Sequence, residues 1–211
     1  NVNPSLLGFG CMRFPKKEDG TIDEVEAERM LDHAIESGVT YIDTAYPYHD
    51  GESEPFVGRV LKKYKREDFY LATKLPMFKI NSLEQAKEIF EEQMKRLDVN
   101  YVDFYLLHAL NKDTWKKVLD LNIIPYCEEL KKQGRIKNFG FSFHDDYEVF
   151  EEIINYHDWD FCQIQLNYID TDIQAGMKGY KLAEEKHVPL VIMEPIKGGA
   201  LASLSDDIEQ V

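Results

Sequence analysis

Cysteine is scarce in this chain. Cys11, Cys127 and Cys162 are the only three in 211 residues, an odd and widely separated set with no CxxC pair. That argues against a disulfide framework and against zinc or iron–sulfur ligation within these residues. Three reduced thiols in a cytoplasmic protein are the expectation, because reducing compartments keep such thiols free. Positive charge is also in deficit: 25 Lys and Arg stand against 39 Asp and Glu, a net charge of −14. A nucleic-acid partner is therefore not expected, since phosphate binding relies on clustered Lys and Arg. One local basic pocket for a phosphorylated cofactor stays compatible with that balance. No apolar run approaches the roughly 20 residues of a membrane span, so no membrane partner is expected. The first residues, Asn1-Val2-Asn3-Pro4, include neither an initiator Met nor an apolar signal segment, and the expectation is that part of the natural N-terminus is missing. The histidines form no HxH or HExxH pattern, so the sequence predicts no metal site and speaks against a metal-dependent hydrolase.

What is present is a regular alternation. With 44% hydrophobic and 12% aromatic residues the chain can build a sizeable core, and its length fits one domain. Apolar, β-rich runs occur at 5–10, 40–43, 69–74, 102–108, 136–142, 161–165 and 190–193. They are continuously hydrophobic rather than alternating, as parallel strands covered on both faces are. Their spacing, near thirty residues, is that of one βα unit. Amphipathic patterns lie between them at 23–37, 52–64, 82–97, 114–133, 145–156 and 172–186. Ser82 with Gln85 reads as a capping box, and Gly38 and Gly134 as helix stops. This succession predicts a (β/α)8 TIM barrel occupying residues 1–211, with seven strands present and the C-terminal part missing, because such a barrel closes with eight strands. A doubly wound sheet is the rival, but Gly8-Phe9-Gly10-Cys11-Met12-Arg13 lacks the third glycine of its phosphate-binding turn.

Four polar residues stand at the exits of these runs. Asp43, Lys74 and His108 each end one, and Tyr48 follows Asp43 in the same loop. Catalytic groups of a βα-barrel gather at that face. A free tyrosine titrates near pH 10, a nearby ammonium favours its phenolate, and a carboxylate paired to the lysine holds that charge in place. Tyr48, Lys74 and Asp43 are thus suited to delivering a proton to a carbonyl oxygen, with His108 orienting it. No side chain donates hydride, so a reduction needs a nicotinamide cofactor.

The segment Tyr41-Ile42-Asp43-Thr44-Ala45-Tyr46-Pro47-Tyr48, followed by Gly51-Glu52-Ser53-Glu54 and Gly58, resembles the signature of the aldo-keto reductase superfamily. So do Leu71-Ala72-Thr73-Lys74, Asp103-Phe104-Tyr105-Leu106-Leu107-His108 and Gly134-Arg135-Ile136-Lys137-Asn138-Phe139-Gly140-Phe141-Ser142, all in the family's order. The resemblance implies reduction of small aldehydes or ketones by NADPH, or less often NADH, with Tyr48 as acid, Lys74 and Asp43 tuning it and His108 orienting the carbonyl. It also implies that Ser142 and Gln165 grip the nicotinamide carboxamide, that Asp43 lies near its ribose, and that the Met12-Arg13 backbone borders the cofactor. Lys197, Gly198 and Gly199 are candidates for the pyrophosphate.

Two departures stand out. Ser142-Phe143 replaces the Ser-Asn of many relatives, and Ile192-Met193-Glu194-Pro195-Ile196 replaces their Ala-Tyr-Ser-Pro-Leu, so that Met193 takes the place of the aromatic ring that stacks on nicotinamide, with Pro195 a further cofactor candidate beside it. These features resemble a bacterial or archaeal branch whose longer members carry a ferredoxin-like extension. An iron–sulfur cluster is expected only if such an extension follows. Some barrels of the family serve as noncatalytic cofactor sensors, which is the alternative function. Phe14, Tyr46, Phe78 and Phe143 are candidate apolar walls of a substrate pocket. The sequence gives no indication of oligomeric state.

Overall fold

A computed structural model describes residues 2–203. Strands and helices alternate along the chain: β1 (Gly8–Gly10), α1 (Glu24–Glu36), β2 (Tyr41–Asp43), α2 (Ser53–Leu61), β3 (Tyr70–Leu75), α3 (Leu83–Leu97), β4 (Val102–Leu110), α4 (Lys112–Asp120), α5 (Ile123–Lys132), β5 (Ile136–Phe143), α6 (Tyr147–Tyr156), β6 (Phe161–Gln165), α7 (Gly176–Glu185) and β7 (Leu190–Met193). The strands neighbour one another in chain order from β1 to β7. Among the described residues the order never reverses, so they hold no switch point and the doubly wound rival is excluded.

The chain divides into two compact units. The first runs to His108 and includes Lys116–Phe139; the second holds Ala109–Trp115 and the chain from Gly140 onward. In the first unit β1, β2, β3 and β4 pair in parallel. Most side chains of β2, β3 and β4 are buried on both faces, as the continuous apolar runs predict: Ile42, Leu71, Leu75, Leu106 and Leu107 have no exposed surface. Helices α1 and α3 close over them with Ala27, Leu31, Ala86 and Phe90. In the second unit β5, β6 and β7 pair in parallel, and Phe141 and Phe143 pack edge-on or tilted against Phe150 of α6. Gly140 is required there, because a Cβ would lie 2.4 Å from the Phe161 carbonyl oxygen.

Helix boundaries follow local chemistry. Asp23 caps α1 by accepting from the Glu26 N–H, and Ser82 caps α3 by accepting from the Gln85 N–H. The Gln85 side chain in turn accepts from the Asn81 N–H, a variant of the expected capping box.

The sequence reading fails in two places. The single helix expected over 114–133 is two helices, α4 and α5, broken where Asn122 adopts φ 53°. Pro125 is the cause: it has no N–H to bond the Leu121 carbonyl, and its ring clashes with the carbonyl four residues back. The strand expected over 5–10 is only three residues long, with Leu6 and Leu7 exposed ahead of it. There Ser5 and Thr40 exchange hydrogen bonds instead: each backbone N–H donates to the other's hydroxyl at 2.8 Å.

Candidate active site

The register places three of the four candidate residues on one face. Asp43 pairs with Ala72 across β2 and β3, and Lys74 lies two residues beyond Ala72. Lys74 pairs with Leu106 across β3 and β4, and His108 lies two residues beyond Leu106. Side chains alternate along a strand, so Asp43, Lys74 and His108 share a face and step forward by two residues per strand. Asp43 ends its strand, whereas Lys74 and His108 lie inside strands that run on to Leu75 and Leu110, past the ends the sequence predicts. Tyr48 comes from the loop after β2.

Lys74 is the hub. It is 1% exposed, and each of its three ammonium protons has an acceptor: Asp43 Oδ1 at 2.5 Å, the Thr44 carbonyl at 2.8 Å and the Tyr48 hydroxyl at 3.2 Å. Burial by itself would push the Lys74 pKa down, but Asp43 and then Tyr48 overcome it and hold the pKa above its ordinary value. The side chain is therefore an ammonium at neutral pH. The Tyr48 ring stands edge-on to the His108 imidazole at 5.8 Å, and Phe78 covers that imidazole at 5.7 Å.

The phenol's acidity differs from the sequence expectation. The Tyr48 pKa is raised, chiefly by burial; Lys74 pulls it down, and Asp43 works against Lys74. The ammonium is close, but desolvation of a phenolate costs more than one partly neutralised cation returns. At neutral pH Tyr48 thus carries its proton, and Lys74 stands within 3.2 Å to stabilise the phenolate that a proton transfer would leave.

A buried scaffold behind the hub went unread in the sequence. Ser53 Oγ donates to the Cys11 carbonyl at 3.1 Å, which leaves the Thr44 hydroxyl to donate to Ser53 at 2.9 Å. Glu54, fully buried on α2, accepts from Thr73 Oγ1 at 2.6 Å and Gln93 Nε2 at 2.8 Å. Gln93 Nε2 also reaches the Lys74 carbonyl at 3.0 Å, while its Oε1 accepts from Tyr105 at 2.8 Å. This ties α2 and α3 to the strand that carries Lys74. One signal was available: Gln93 interrupts the apolar stripe Ala86, Phe90, Met94, Leu97 of α3. A polar residue at a core position needs partners.

In the first unit, Met12 and Arg13 lie exposed in the turn after β1. The remaining cofactor candidates lie in the second unit. Ser142 is buried, and its Oγ accepts from the Ala109 N–H at 2.8 Å, which leaves the hydroxyl proton to donate elsewhere. Gln165 Oε1 accepts from Gln174 Nε2 at 3.2 Å, leaving the Gln165 amide N–H groups as donors. A hydroxyl and a carboxamide at the ends of β5 and β6 form a donor set that fits the carboxamide of a nicotinamide. Met193 is half-buried at the end of β7, and Pro195 is exposed. Lys197, at φ 49°, opens a short turn with Gly198 and Gly199 that is left-handed throughout, and its Nζ is engaged by Asp170 at 3.0 Å. Its charge is therefore already partnered within the unit.

Two of the four candidate apolar walls are core residues instead. Phe143 has no exposed surface, and Phe14 is 4% exposed and packs edge-on against Phe56 at 5.0 Å. Tyr46 lies under the Arg96 guanidinium and donates to Glu92. Phe78, 46% exposed, is the candidate that lies against His108. Among the described residues no group of three or more His, Cys, Asp or Glu could hold a metal ion, and no helix is long and apolar enough to cross a membrane.

Comparison with known proteins bears on fold and family. The model of the Aldo/keto reductase family matches residues 6–211. A probable aldo-keto reductase 1 of Glycine max is 32% identical over 146 residues, covering 65% of this chain and 41% of that protein. An uncharacterized oxidoreductase, YqkF, of Bacillus subtilis (strain 168) is 29% identical over 210 residues, covering 95% of this chain and 64% of its own. The holo form of the aldo-keto reductase AKR11C1 from Bacillus halodurans superposes with a TM-score of 0.71 at 30% identity, over 90% of this chain and 62% of that one. The chain spans less than two thirds of the length of each of these relatives. Among the described residues, the seven strands in sequential order match the (β/α)8 fold of these neighbours. In fold and sequence alike, the chain belongs to the aldo/keto reductase family.

Proposed function

We propose that this protein is an NAD(P)H-dependent oxidoreductase that reduces the carbonyl of a small aldehyde or ketone, with Tyr48 as general acid. The observation that carries the reading is Lys74: a fully buried ammonium whose three protons go to Asp43, the Thr44 carbonyl and the Tyr48 hydroxyl. A bound nicotinamide supplies the hydride. As negative charge develops on the substrate oxygen, Tyr48 gives it the phenolic proton. Lys74 stabilises the phenolate left behind, and Asp43 keeps Lys74 charged and in place. His108, fixed between the rings of Tyr48 and Phe78, orients the carbonyl oxygen. Solvent returns the proton to Tyr48 afterwards.

Ser142 and Gln165 are the proposed holders of the cofactor's carboxamide, with Met193 packing against its ring through a polarisable thioether. Met12, Arg13 and Pro195 border the cofactor, and the turn at Lys197, Gly198 and Gly199 offers backbone N–H groups to its pyrophosphate. NADPH as the preferred form rests on the family resemblance, and the three buried free thiols support a cytoplasmic location. The test is calorimetric titration with NADPH and with NADH, followed by turnover on a panel of simple aldehydes. Binding with turnover supports the enzyme. Tight binding without turnover supports a cofactor sensor. Equal efficiency with both nucleotides removes the preference for NADPH.

A further inference from the structure

The residue that follows Tyr48 has an unusual setting. His49 and Asp50 both adopt left-handed backbone, at φ 52° and 57°, and Gly51 continues it at φ 96°. Two consecutive non-glycine residues in that region persist only when their surroundings hold them. One hold is on α3: Arg96 Nη1 reaches the Tyr46 and Gly51 carbonyls, each at 3.4 Å. The other is His49 itself. Its Nε2 accepts a hydrogen bond from the Phe14 backbone N–H at 3.1 Å, and its ring lies 5.6 Å from the Phe14 ring. Phe14 is in turn locked edge-on against Phe56 of α2.

An amide N–H can donate only to an unprotonated imidazole nitrogen, because both nitrogens are donors in the imidazolium. The contact therefore exists in one charge state of His49. We propose that His49 is a positioning residue for Tyr48: its neutral imidazole clips the loop that carries the phenol to the turn after β1, and protonation releases the clip. The proposal rests on the reading of Tyr48 as the acid and adds a pH dependence to that site.

The surroundings favour the neutral form. Burial disfavours the imidazolium, and Lys16, from the segment after β1, does the same; Asp50 and the Met12 carbonyl oppose them without prevailing. The clip is thus closed at neutral pH and opens under acid conditions. Since the Met12-Arg13 turn is a proposed cofactor border, opening would loosen Tyr48 and that border together.

The test uses the full chain. In the wild type, nuclear magnetic resonance should show the His49 tautomer protonated at Nδ1 near neutrality. The Phe14 amide resonance should shift along one curve with His49 as pH falls. A Phe14 amide that ignores the His49 titration overturns the proposal, whatever the enzyme does. The kinetic arm compares wild type with His49→Gln, whose amide oxygen takes the place of Nε2 without titrating. Wild-type kcat should fall about tenfold per pH unit below the His49 midpoint, and in the variant that acid limb should move to lower pH. An unchanged limb in the variant refutes positioning by His49. Absence of carbonyl turnover at every pH would instead refute the function proposed for the site, and the resonance titration would still decide the clip.

Discussion

Lys74→Met is the substitution whose cost the structure predicts most directly. Methionine keeps the unbranched chain out to the Cε position but removes three hydrogen-bond donors from a position 1% exposed. It leaves the Asp43 carboxylate, with a side chain 13% exposed, without its cation at 2.5 Å. Breaking a buried pair by removing one partner costs about 3–5 kcal/mol, because the remaining, largely desolvated charge loses its counterion. For a chain of this size each kcal/mol moves the midpoint of thermal unfolding by about 2–4 °C, so the expected loss is about 6–20 °C. Asp43→Leu should be destabilising for the mirror reason. The double variant should cost less than the sum, because no uncompensated charge then remains, with a coupling of about 1–3 kcal/mol. Urea unfolding followed by far-ultraviolet circular dichroism measures all three. A Lys74→Met cost below about 1 kcal/mol, or strict additivity of the two changes, would refute the view that this pair is a desolvated, mutually dependent unit.

Two further outcomes are expected. Cys11, Cys127 and Cys162 are fully buried, and burial pushes the Cys162 thiol up to about 12 and the other two well above their ordinary value. A chromogenic disulfide reagent at about pH 8 should find no reactive thiol in the native protein and three after denaturation, because only the thiolate attacks. One equivalent of rapid reaction in the native state would contradict this. His49 has a folded pKa below its unfolded value of about 6.5, so folding opposes its protonation and stability falls as pH drops below about 6.5. Denaturant midpoints measured across that range should fall more steeply for wild type than for His49→Gln. Parallel curves would show that His49 does not titrate differently in the two states.

Much of the fold was legible because parallel β/α structure writes itself locally. The continuous apolar runs, the caps at Asp23 and Ser82 and the stop at Gly38 give elements that match the structure to within a few residues. Asp43, Lys74 and His108 could be found because the strand ends that bear them are readable. The break between α4 and α5 was also legible, since Pro125 forbids a continuous helix, but the amphipathic stripe on either side masked it.

What was not legible depends on contacts between distant segments. Phe14 and Phe143 as core, Gln93 reaching the Lys74 carbonyl from α3, and the Phe14 amide on His49 35 residues away leave no periodic trace. The Tyr48 acidity failed for a different reason. Proximity to Lys74 was inferable, but the depth of burial that outweighs it exists only once the chain has folded.

If Tyr48 delivers the proton in a nicotinamide-dependent carbonyl reduction, Tyr48→Phe removes that proton and little else. The phenylalanine ring keeps the packing against His108 and loses only the hydroxyl that Lys74 contacts at 3.2 Å. Steady-state reduction of an aldehyde substrate, measured beside NADPH affinity, should show kcat lower by about 10²–10⁴-fold, the usual contribution of a positioned acid, with cofactor binding unchanged. A variant that retains the wild-type kcat would contradict that role and remove Tyr48 from the proton path.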